Sequence, residues 1–485
     1  MDKSKIYGIS FDEAVPFGSE QRIMDAKGLK NDYVVNHSFV LNNGQNDFDQ
    51  AYPFGAIRLC NVSIKNGETK VTYEGEPQFS RTSSNSNVMV QIPKFYSRRE
   101  KEGSVEKWMV SGFCHEGFQL EPCFLRGGKE LEYVYVGVYN TTSIGNGVFS
   151  VTGDFPDINK TAGEFAKEYN ASGYDCYDLA IHLALQKLMV IEFCRRDLKY
   201  VLGGIGRMRY CSRVTEAAAI VALDHHKVTI RGKVRGTFFA VGQEMGLGHT
   251  EKDMSIHRTV THVTQNPENP ELVDVYYSGK TLVGLVAPGT DAAFGIPQRN
   301  GGADALPYHT GRWEIHAPLA PEEDAQLSAF RYRNIENVWG NIWEFTAGLK
   351  VKRLQYYYTF DPELYDADLS QWKHYPYPSL LRNSLPKRDA STTPWISQMG
   401  FDPNEPLLPL PTAMALGTSG DFYDGVLYTY GDRDYKNDPI DPDNIYSTVM
   451  GGAFDHENMS LFCFRCFMLP GARHWLYGSR VCLRK

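Results

Sequence analysis

The chain has 485 residues, long enough to bury a hydrophobic core without disulfides or a structural metal. Its composition, 42% hydrophobic and 22% charged, is ordinary for a globular protein. A net charge of −8 with no block of basic residues excludes a duplex-binding surface, so we expect no nucleic-acid partner. Nine cysteines, an odd number in so long a chain, favour folding in a reducing cytosol over a disulfide scaffold.

The N-terminal region is polar. Residues 1–8 lack the apolar core of a signal peptide, and no apolar run elsewhere approaches a membrane span of about 20 residues. We therefore expect cytoplasmic synthesis and no membrane insertion. Residues 1–90 are rich in turn signals such as Asn42-Asn43-Gly44 and Asn66-Gly67, which predict an irregular N-terminal arm or docking region.

Strands and then two helices are predicted between residues 88 and 205. The apolar runs at 88–92 and 133–139 predict strands, the second with both faces covered. Thr161 and Glu164 have capping-box spacing, and Asp178 can cap a second helix that ends at Gly203-Gly204. The apolar stripe of that second helix comprises Ile181, Ala184, Leu185, Leu188 and Ile191.

Residues 214–295 have the pattern of a separate β-rich unit. Runs of β-branched and aromatic residues at 228–230, 260–263, 273–277 and 282–286 predict strands with turns between them. Residues 350–445 carry many Pro, Asp and Tyr residues, which predict long loops with little regular structure. The last 40 residues again predict short strands.

Three short motifs in the C-terminal third are the most specific features of the sequence. The first is NVWGNIWEF at 337–345, where tight turns precede an alternating strand with Trp343 and Phe345 on one face and Glu344 on the other. The second is GGAF at 451–454, and the third is GSR at 478–480. We expect the aromatic residues to pack in the core and the glycines to meet backbone constraints.

Together these motifs resemble the C-type lectin fold in its formylglycine-generating-enzyme-like form. That family has a Gly-Asn-Val-Trp-Glu-Trp stretch, then Gly-Gly-Ser-Trp, and a closing Gly-Phe-Arg or Gly-Ala-Arg. The resemblance covers residues 90–213 and 326–485, and it implies an α+β, C-type lectin-like domain with long loops. The fold prediction is therefore an N-terminal arm (1–90) and a lectin-like domain (91–485) with a β-rich insertion at 214–295.

The family has two functional branches, and the cysteines separate them. The oxidase branch needs two reactive cysteines shortly after its Gly-Gly pair, and His456 and Leu461 stand at those places in this chain. Cys463 and Cys466 come later with a different spacing, so the thiolates that would bind copper(I) and act as nucleophiles are not where the oxidases have them. We predict that the chain is not an enzyme.

The other branch comprises the variable, ligand-binding proteins of diversity-generating retroelements, many carried by phages. Its variable region corresponds to residues 451–480, and adenine mutagenesis of Asn codons can reach the amino acids at the matching positions. The resemblance therefore implies a ligand-binding site. Its predicted residues are Asp455, His456, Asn458, Phe462, Cys463, Phe464, Arg465, Cys466, Phe467, Leu469, Arg473, His474, Leu476 and Tyr477.

The residue types at 461–468 (LFCFRCFM) point to the same segment on physical grounds. They put apolar side chains on both faces of a strand that also carries Arg465. A core strand does not normally accept an Arg, whereas Phe and Arg are common at the centres of binding interfaces. An ordinary hydrophobic edge of the domain is the alternative interpretation.

Metal binding is the weaker interpretation of the cysteines and acidic residues. Cys463 and Cys466 form a C-x-x-C pair, but no second Cys or His pair lies at zinc-finger spacing. The aspartates at 432, 434, 438, 441 and 443 offer the oxygen ligands that Ca²⁺ prefers, and solvated turns explain them as well. We predict no cofactor and leave calcium open.

The sequence thus predicts a receptor-binding protein that displays a diversified surface on a lectin-like scaffold. Its expected ligand is a host cell-surface protein or glycan, and its expected place is a phage tail after cytoplasmic synthesis, where a homotrimer would add avidity. The bacterial cytoplasm or cell surface is the alternative location. The alternative functions are a formylglycine-generating-type oxidase and a purely structural virion protein.

Overall fold

The computed structural model describes most of the chain, with gaps. The described residues are 1–31, 34–35, 40–41, 46–83, 85–145, 147–205, 220–231, 239, 241–249, 256–315, 327–353, 355–378, 393–417, 423, 427–428, 443–453 and 459–485. Strands make up 42% of these residues and helices 12%.

The described part of the first 205 residues forms both strands and helices. In chain order they are β1 (Ile6–Asp12), β2 (Gln21–Met24), β3 (Val34–Val35), β4 (Val40–Leu41), β5 (Arg58–Lys65), β6 (Glu68–Tyr73), β7 (Asn87–Pro93), β8 (Tyr96–Glu102), β9 (Val105–Ser111), β10 (Gln119–Leu120), β11 (Leu125–Arg126), β12 (Lys129–Glu130), β13 (Tyr133–Gly137), β14 (Thr142–Ile144), β15 (Gly147–Phe149), α1 (Ala162–Ala171), β16 (Asp175–Cys176), α2 (Leu179–Phe193) and α3 (Leu198–Leu202).

The remaining described elements are strands. They are β17 (Ile220–Asp224), β18 (Lys227–Arg231), β19 (Glu244–Gly248), β20 (Ile256–Gln265), β21 (Leu272–Tyr277), β22 (Ala292–Gly295), β23 (Gly311–Ile315), β24 (Leu327–Tyr332), β25 (Ile335–Glu336), β26 (Trp343–Lys352), β27 (Gln355–Tyr358), β28 (Lys373–Pro378), β29 (Thr393–Met399), β30 (Pro411–Gly417), β31 (Leu427–Tyr428), β32 (Tyr446–Met450), β33 (Phe464–Met468), β34 (Tyr477–Gly478) and β35 (Val481–Leu483). Short 3₁₀ turns lie at Asp47–Gln50, Phe54–Ala56, Pro122–Phe124, Pro362–Leu364 and Leu369–Gln371.

Residues 1–90, for which the sequence predicts an arm, supply strands to two of the larger sheets, and β3 and β4 pair with each other in a separate hairpin. One sheet has the order β10-β8-β9-β1-β2, so β1 lies between β9 and β2. The other has the order β16-β35-β13-β7-β5-β6, and the C-terminal strand β35 lies between β16 and β13. The two-residue turn between β5 and β6 is Asn66-Gly67, with both residues at positive φ, which is the geometry of a tight hairpin.

The helices are few among the described residues, and α2 is buried on all sides. Thr161 and Glu164 form the predicted capping box at α1, and the Asp178 side chain accepts from the Ile181 amide to cap α2. The predicted stripe of α2 is only part of its buried surface, because all fifteen residues are buried between neighbouring sheets. The helix ends earlier than predicted, at a left-handed Cys194, and Gly203 ends the separate α3.

The β-rich unit after α3 has its own core. Its sheet has the order β17-β18-β21-β20-β19-β22, and a hydrophobic cluster formed by these strands and nearby loops fills one side. The predicted strand at 282–286 is a turn instead, because Gly284 adopts a φ of 81° between Val283 and Val286.

The C-terminal sheet positions the segment with the predicted ligand-binding residues. Its order is β28-β27-β26-β32-β33-β31, and β34 pairs in parallel with β26. β33 is therefore an inner strand, with β32 on one side and β31 on the other. The region 350–445, predicted as long loops, contributes β27, β28 and β31 to this sheet, and its β29 and β30 form a separate two-stranded sheet.

The prediction of an α+β, C-type lectin-like fold is wrong. The structure is β-rich, built of many small, mostly antiparallel sheets with three α-helices between residues 162 and 202 among those described. The two predicted helices are a minor part of the described chain, and turns such as Asn66-Gly67, in a region predicted to be irregular, connect paired strands. Among the described residues no helix is both long enough and apolar enough to cross a membrane.

Candidate functional site

The three sequence motifs converge in the C-terminal sheet. β34 lies parallel to β26, so that Trp343 pairs with Tyr477 and Glu344 with Gly478. The Trp343 amide donates to the Leu476 carbonyl at 2.8 Å. The Gly340 amide donates to the Gly451 carbonyl at 3.1 Å, which ties the second motif to the first. Residues more than 100 positions apart thus form one buried framework.

A buried ion pair joins the first and third motifs. Arg480 Nη2 lies 2.7 Å from Glu344 Oε1, and the two side chains are only 1% and 5% exposed. The Arg480 guanidinium also donates to the carbonyls of Gly137, Val138, Glu336 and Asn337. Burial acts to lower the pKa of Arg480, but the negative charge of Glu344 raises it overall, so the guanidinium stays charged.

The motif glycines allow this close packing. A Cβ at Gly478 would meet the Ile342 side chain and would lie 2.7 Å from the Asp157 carbonyl oxygen. Gly451 and Gly452 have φ angles of 91° and 82°, and a Cβ on Gly452 would lie 2.7 Å from the Met459 side chain. The aromatic residues of the first motif are buried as predicted. These residues form the frame of the domain rather than a surface.

The structure distributes the fourteen predicted ligand-binding residues among different environments. Seven are buried: Phe462, Cys463, Phe464, Arg465, Cys466, Leu476 and Tyr477. Phe467 and His474 are half-buried, and Leu469 and Arg473 are exposed. Asp455, His456 and Asn458 lie outside the described residues. In the monomer, most of the described set therefore packs inside the protein and is not on its surface.

Arg465 shows how a core strand accepts a cation, which the sequence pattern did not predict. Its Nη1 donates to the Tyr477 hydroxyl at 2.7 Å. Its guanidinium carbon lies 5.0 Å from the ring centre of Phe467 and 5.6 Å from that of Trp343. Aromatic faces attract a cation electrostatically, so these rings and the hydroxyl offset part of the loss of hydration. Phe and Arg in this strand therefore do not by themselves indicate an interface.

The exposed part of the predicted site is the turn between β33 and β34, residues 469–474, which we name the 469–474 loop. Leu469 is 45% exposed, and a Cβ at Gly471 would meet nothing within 4 Å. Arg473 extends from the loop to Glu164 on α1, with Nη2 and Oε1 2.7 Å apart and both side chains substantially exposed. The His474 ring stacks on Trp475, which is buried. The loop thus presents an apolar and a cationic side chain on a fixed base.

The described residues contain no group of three or more His, Cys, Asp or Glu side chains arranged to hold a metal. Cys463 and Cys466 are buried and form no disulfide. Of the aspartates considered for calcium, Asp443 is described, and its carboxylate lies 2.6 Å from the Arg353 guanidinium. The other four lie outside the described residues.

Polar residues at two further places were not predicted from the sequence, because each place is assembled from distant segments of the chain. Asn140 donates to Glu344 at 2.5 Å and so belongs to the buried framework, although it lies 204 residues from its partner. Arg58, Arg81 and Arg331 line a cleft on another part of the protein. No local pattern marks these residues, because only the pairing of remote strands brings them together.

No protein-family model matches the sequence, and a search of curated proteins gave no match.

Proposed function

We propose that the chain is a receptor-binding protein, and that the 469–474 loop is the described part of its recognition surface. The observation that carries this proposal is the contrast within one segment. Leu469 and Arg473 are exposed, while the strands before and after them are buried and fixed to the framework. Binding residues held by a rigid scaffold lose little conformational freedom when a ligand docks.

The ligand that suits this surface is a host cell-surface protein or glycan, and the chain would act as part of a phage tail after cytoplasmic synthesis. Resemblance to retroelement variable proteins supports this, since Leu469 and Arg473 are among the positions that adenine mutagenesis can reach. The buried members of the predicted set, such as Phe464 and Cys466, would shape the base of the loop rather than contact the ligand.

A loop of six residues is smaller than the roughly 20–30 residues a side of a stable protein interface. A single copy would therefore bind weakly unless other segments, including residues 455–458, add contact area. A homotrimer would compensate, because linked copies convert later binding events into intramolecular ones. We propose a binding role without catalysis and without a required cofactor.

The test is binding of the purified protein to a panel of whole bacterial strains. The variant Leu469→Asp/Arg473→Glu changes the two exposed loop residues. The matched control is Leu125→Asp/Arg353→Glu, which changes an exposed Leu and an exposed Arg elsewhere. All three proteins should melt alike. We expect the wild type and the control to bind a subset of strains, and the loop variant to lose at least about tenfold in affinity.

Two outcomes would overturn the proposal. Equal binding by the wild type and the loop variant would place recognition elsewhere. Failure of the wild type to bind any strain, together with burial of the loop in a purified oligomer, would favour the alternative of a structural virion protein. Hydrogen exchange at residues 469–474 in the oligomer distinguishes a buried loop from an exposed one.

A further inference from the structure

A polar cleft lies apart from the 469–474 loop and is lined by segments remote in sequence. Arg58 at the start of β5 and Tyr73 at the end of β6 form one wall. Asp304, residues 306–309 and Arg331 on β24 form the other. The cleft is open to solvent and has a volume of about 650 Å³, within the range of roughly 300–1,000 Å³ that small-molecule sites occupy. We name it the arginine cleft.

One of its three arginines is neutralised within the protein. Arg81 Nη1 lies 3.1 Å from Asp304 Oδ1, and Arg81 Nη2 lies 3.6 Å from Glu74 Oε1. The Tyr139 hydroxyl donates to Asp304 at 2.7 Å and holds the carboxylate in place. Arg81 is therefore part of the wall, with its charge already satisfied.

The other two arginines have no carboxylate partner among the described residues. Arg331 is 5% exposed, and its Nε and Nη2 donate only to the backbone carbonyls of Tyr308 and Leu306, at 2.7 and 2.5 Å. Burial, and then the positive charge of Arg81, lower the pKa of Arg331, and the more weakly acting charges of Asp304 and Glu336 offset only part of this effect. Arg58 is exposed, and its guanidinium carbon stacks 3.5 Å from the centre of the Tyr73 ring. An anion in the cleft would stabilise both cations.

The rest of the lining restricts the kind of anion. Glu74 is 56% exposed, and with Asp304 it puts negative charge on the same cleft, which opposes a doubly charged phosphate. Glu74 and Asn334 can accept hydrogen bonds from hydroxyl groups, and Tyr308, 42% exposed, offers a ring face. A singly charged ligand that also carries hydroxyls and C–H faces fits this combination.

We propose that the arginine cleft binds a carboxylate-bearing sugar. Arg58 and Arg331 bind its carboxylate, and Glu74 and Asn334 accept hydrogen bonds from its hydroxyl groups. This site uses none of the residues of the 469–474 loop and does not depend on the function proposed for that loop.

The test is to titrate the full chain separately with D-glucuronate, D-glucose and inorganic phosphate, and to measure binding by calorimetry or ligand-observed NMR. We expect saturable binding of glucuronate, and at least about tenfold weaker binding of glucose, which lacks the carboxylate. Arg58→Gln should weaken glucuronate binding by at least about tenfold with only a small change in Tm, because the exposed Arg58 side chain loses its contact with the Tyr73 ring but makes no hydrogen bond in the described structure.

Two further variants make the result specific. Arg353→Gln is the matched control, since Arg353 is exposed and outside the cleft, and it should bind glucuronate like the wild type. Leu469→Asp/Arg473→Glu should also bind normally, which separates this site from the loop. Unsaturable glucuronate binding, equal binding by Arg58→Gln, equal binding of glucose, or phosphate binding as tight as glucuronate would each overturn the proposal.

Discussion

Two Arg–Glu pairs that involve C-terminal arginines have the same closest contact distance and opposite surroundings. In each pair, an arginine Nη2 lies 2.7 Å from a glutamate Oε1. Arg480 and Glu344 are almost completely buried and join two sequence motifs, whereas Arg473 and Glu164 are about half exposed and join a loop to α1. Contact distance therefore does not rank the importance of an ion pair. Burial decides the outcome, because the charge that remains after loss of one partner is hydrated at the surface but has neither a partner nor water in the core.

The largest effect is expected from breaking the buried pair. Arg480→Met removes the cation, so Glu344 and the surrounding carbonyls lose their donor in the core. We expect the free energy of unfolding to fall by about 3–5 kcal/mol, measured by denaturant titration. Arg480→Met/Glu344→Met, which leaves no unpaired charge, should be less destabilised than the single variant. A single variant as stable as the wild type would mean that burial does not govern this pair.

Ionisation of Glu336 tests how strongly the buried framework disfavours an additional negative charge. Burial, and then the negative charge of Asp304, raise the pKa of Glu336 from 4.5 to about 7. The folded protein therefore holds this proton at pH values where the unfolded chain has lost it. The resulting stability is present below about pH 4.5 and is lost as the pH rises through about 7.

The variant Glu336→Gln cannot titrate at this position. Across pH 4.5–7, the free energy of unfolding of the wild type should therefore fall relative to that of the variant by on the order of 3 kcal/mol. Denaturant titrations of both proteins at several pH values measure the difference. A constant difference across this range would show that Glu336 ionises as it does in the unfolded chain.

Two glycines allow the same comparison of a buried and an exposed position for steric packing. Gly478→Ala places a Cβ against Ile342 and the Asp157 carbonyl, so we expect a loss of about 1–3 kcal/mol from overpacking. Gly471→Ala in the 469–474 loop is the control, because its Cβ would point into open space. Thermal unfolding of both variants measures the contrast. Equal melting temperatures would contradict the close contact at Gly478.

The smallest effect is expected from breaking the exposed pair. In Arg473→Met, Glu164 remains hydrated and keeps its capping bonds with Thr161. We therefore expect the melting temperature to stay within error of the wild type, as seen by circular dichroism. A clear decrease would show that the loop helps to hold α1 in place, and it would weaken the distinction between the two pairs.

Local signals were sufficient where a structure depends on neighbouring residues. The capping box of Thr161 and Glu164 and the Asp178 cap each involve a side chain and an amide three residues away, so their spacing alone predicts them. The burial of Trp343 and Phe345 also followed from residue type and alternation. For the predicted site, the sequence did not tell which residues are buried and which are exposed, because the alternation of residues 461–468 does not show which strands cover each face.

The sequence by itself determined the helix caps, several strands, the core role of the motif aromatics and the absence of a block of basic residues. Only the tertiary structure decided that the fold is β-rich, that Arg465 lies among aromatic rings, and that Arg58 and Arg331 share a cleft. The physical reason is the range of the interactions. A cap or a turn is closed within a few residues, whereas sheet order and burial depend on strands that pair across hundreds of residues, such as β35 with β13.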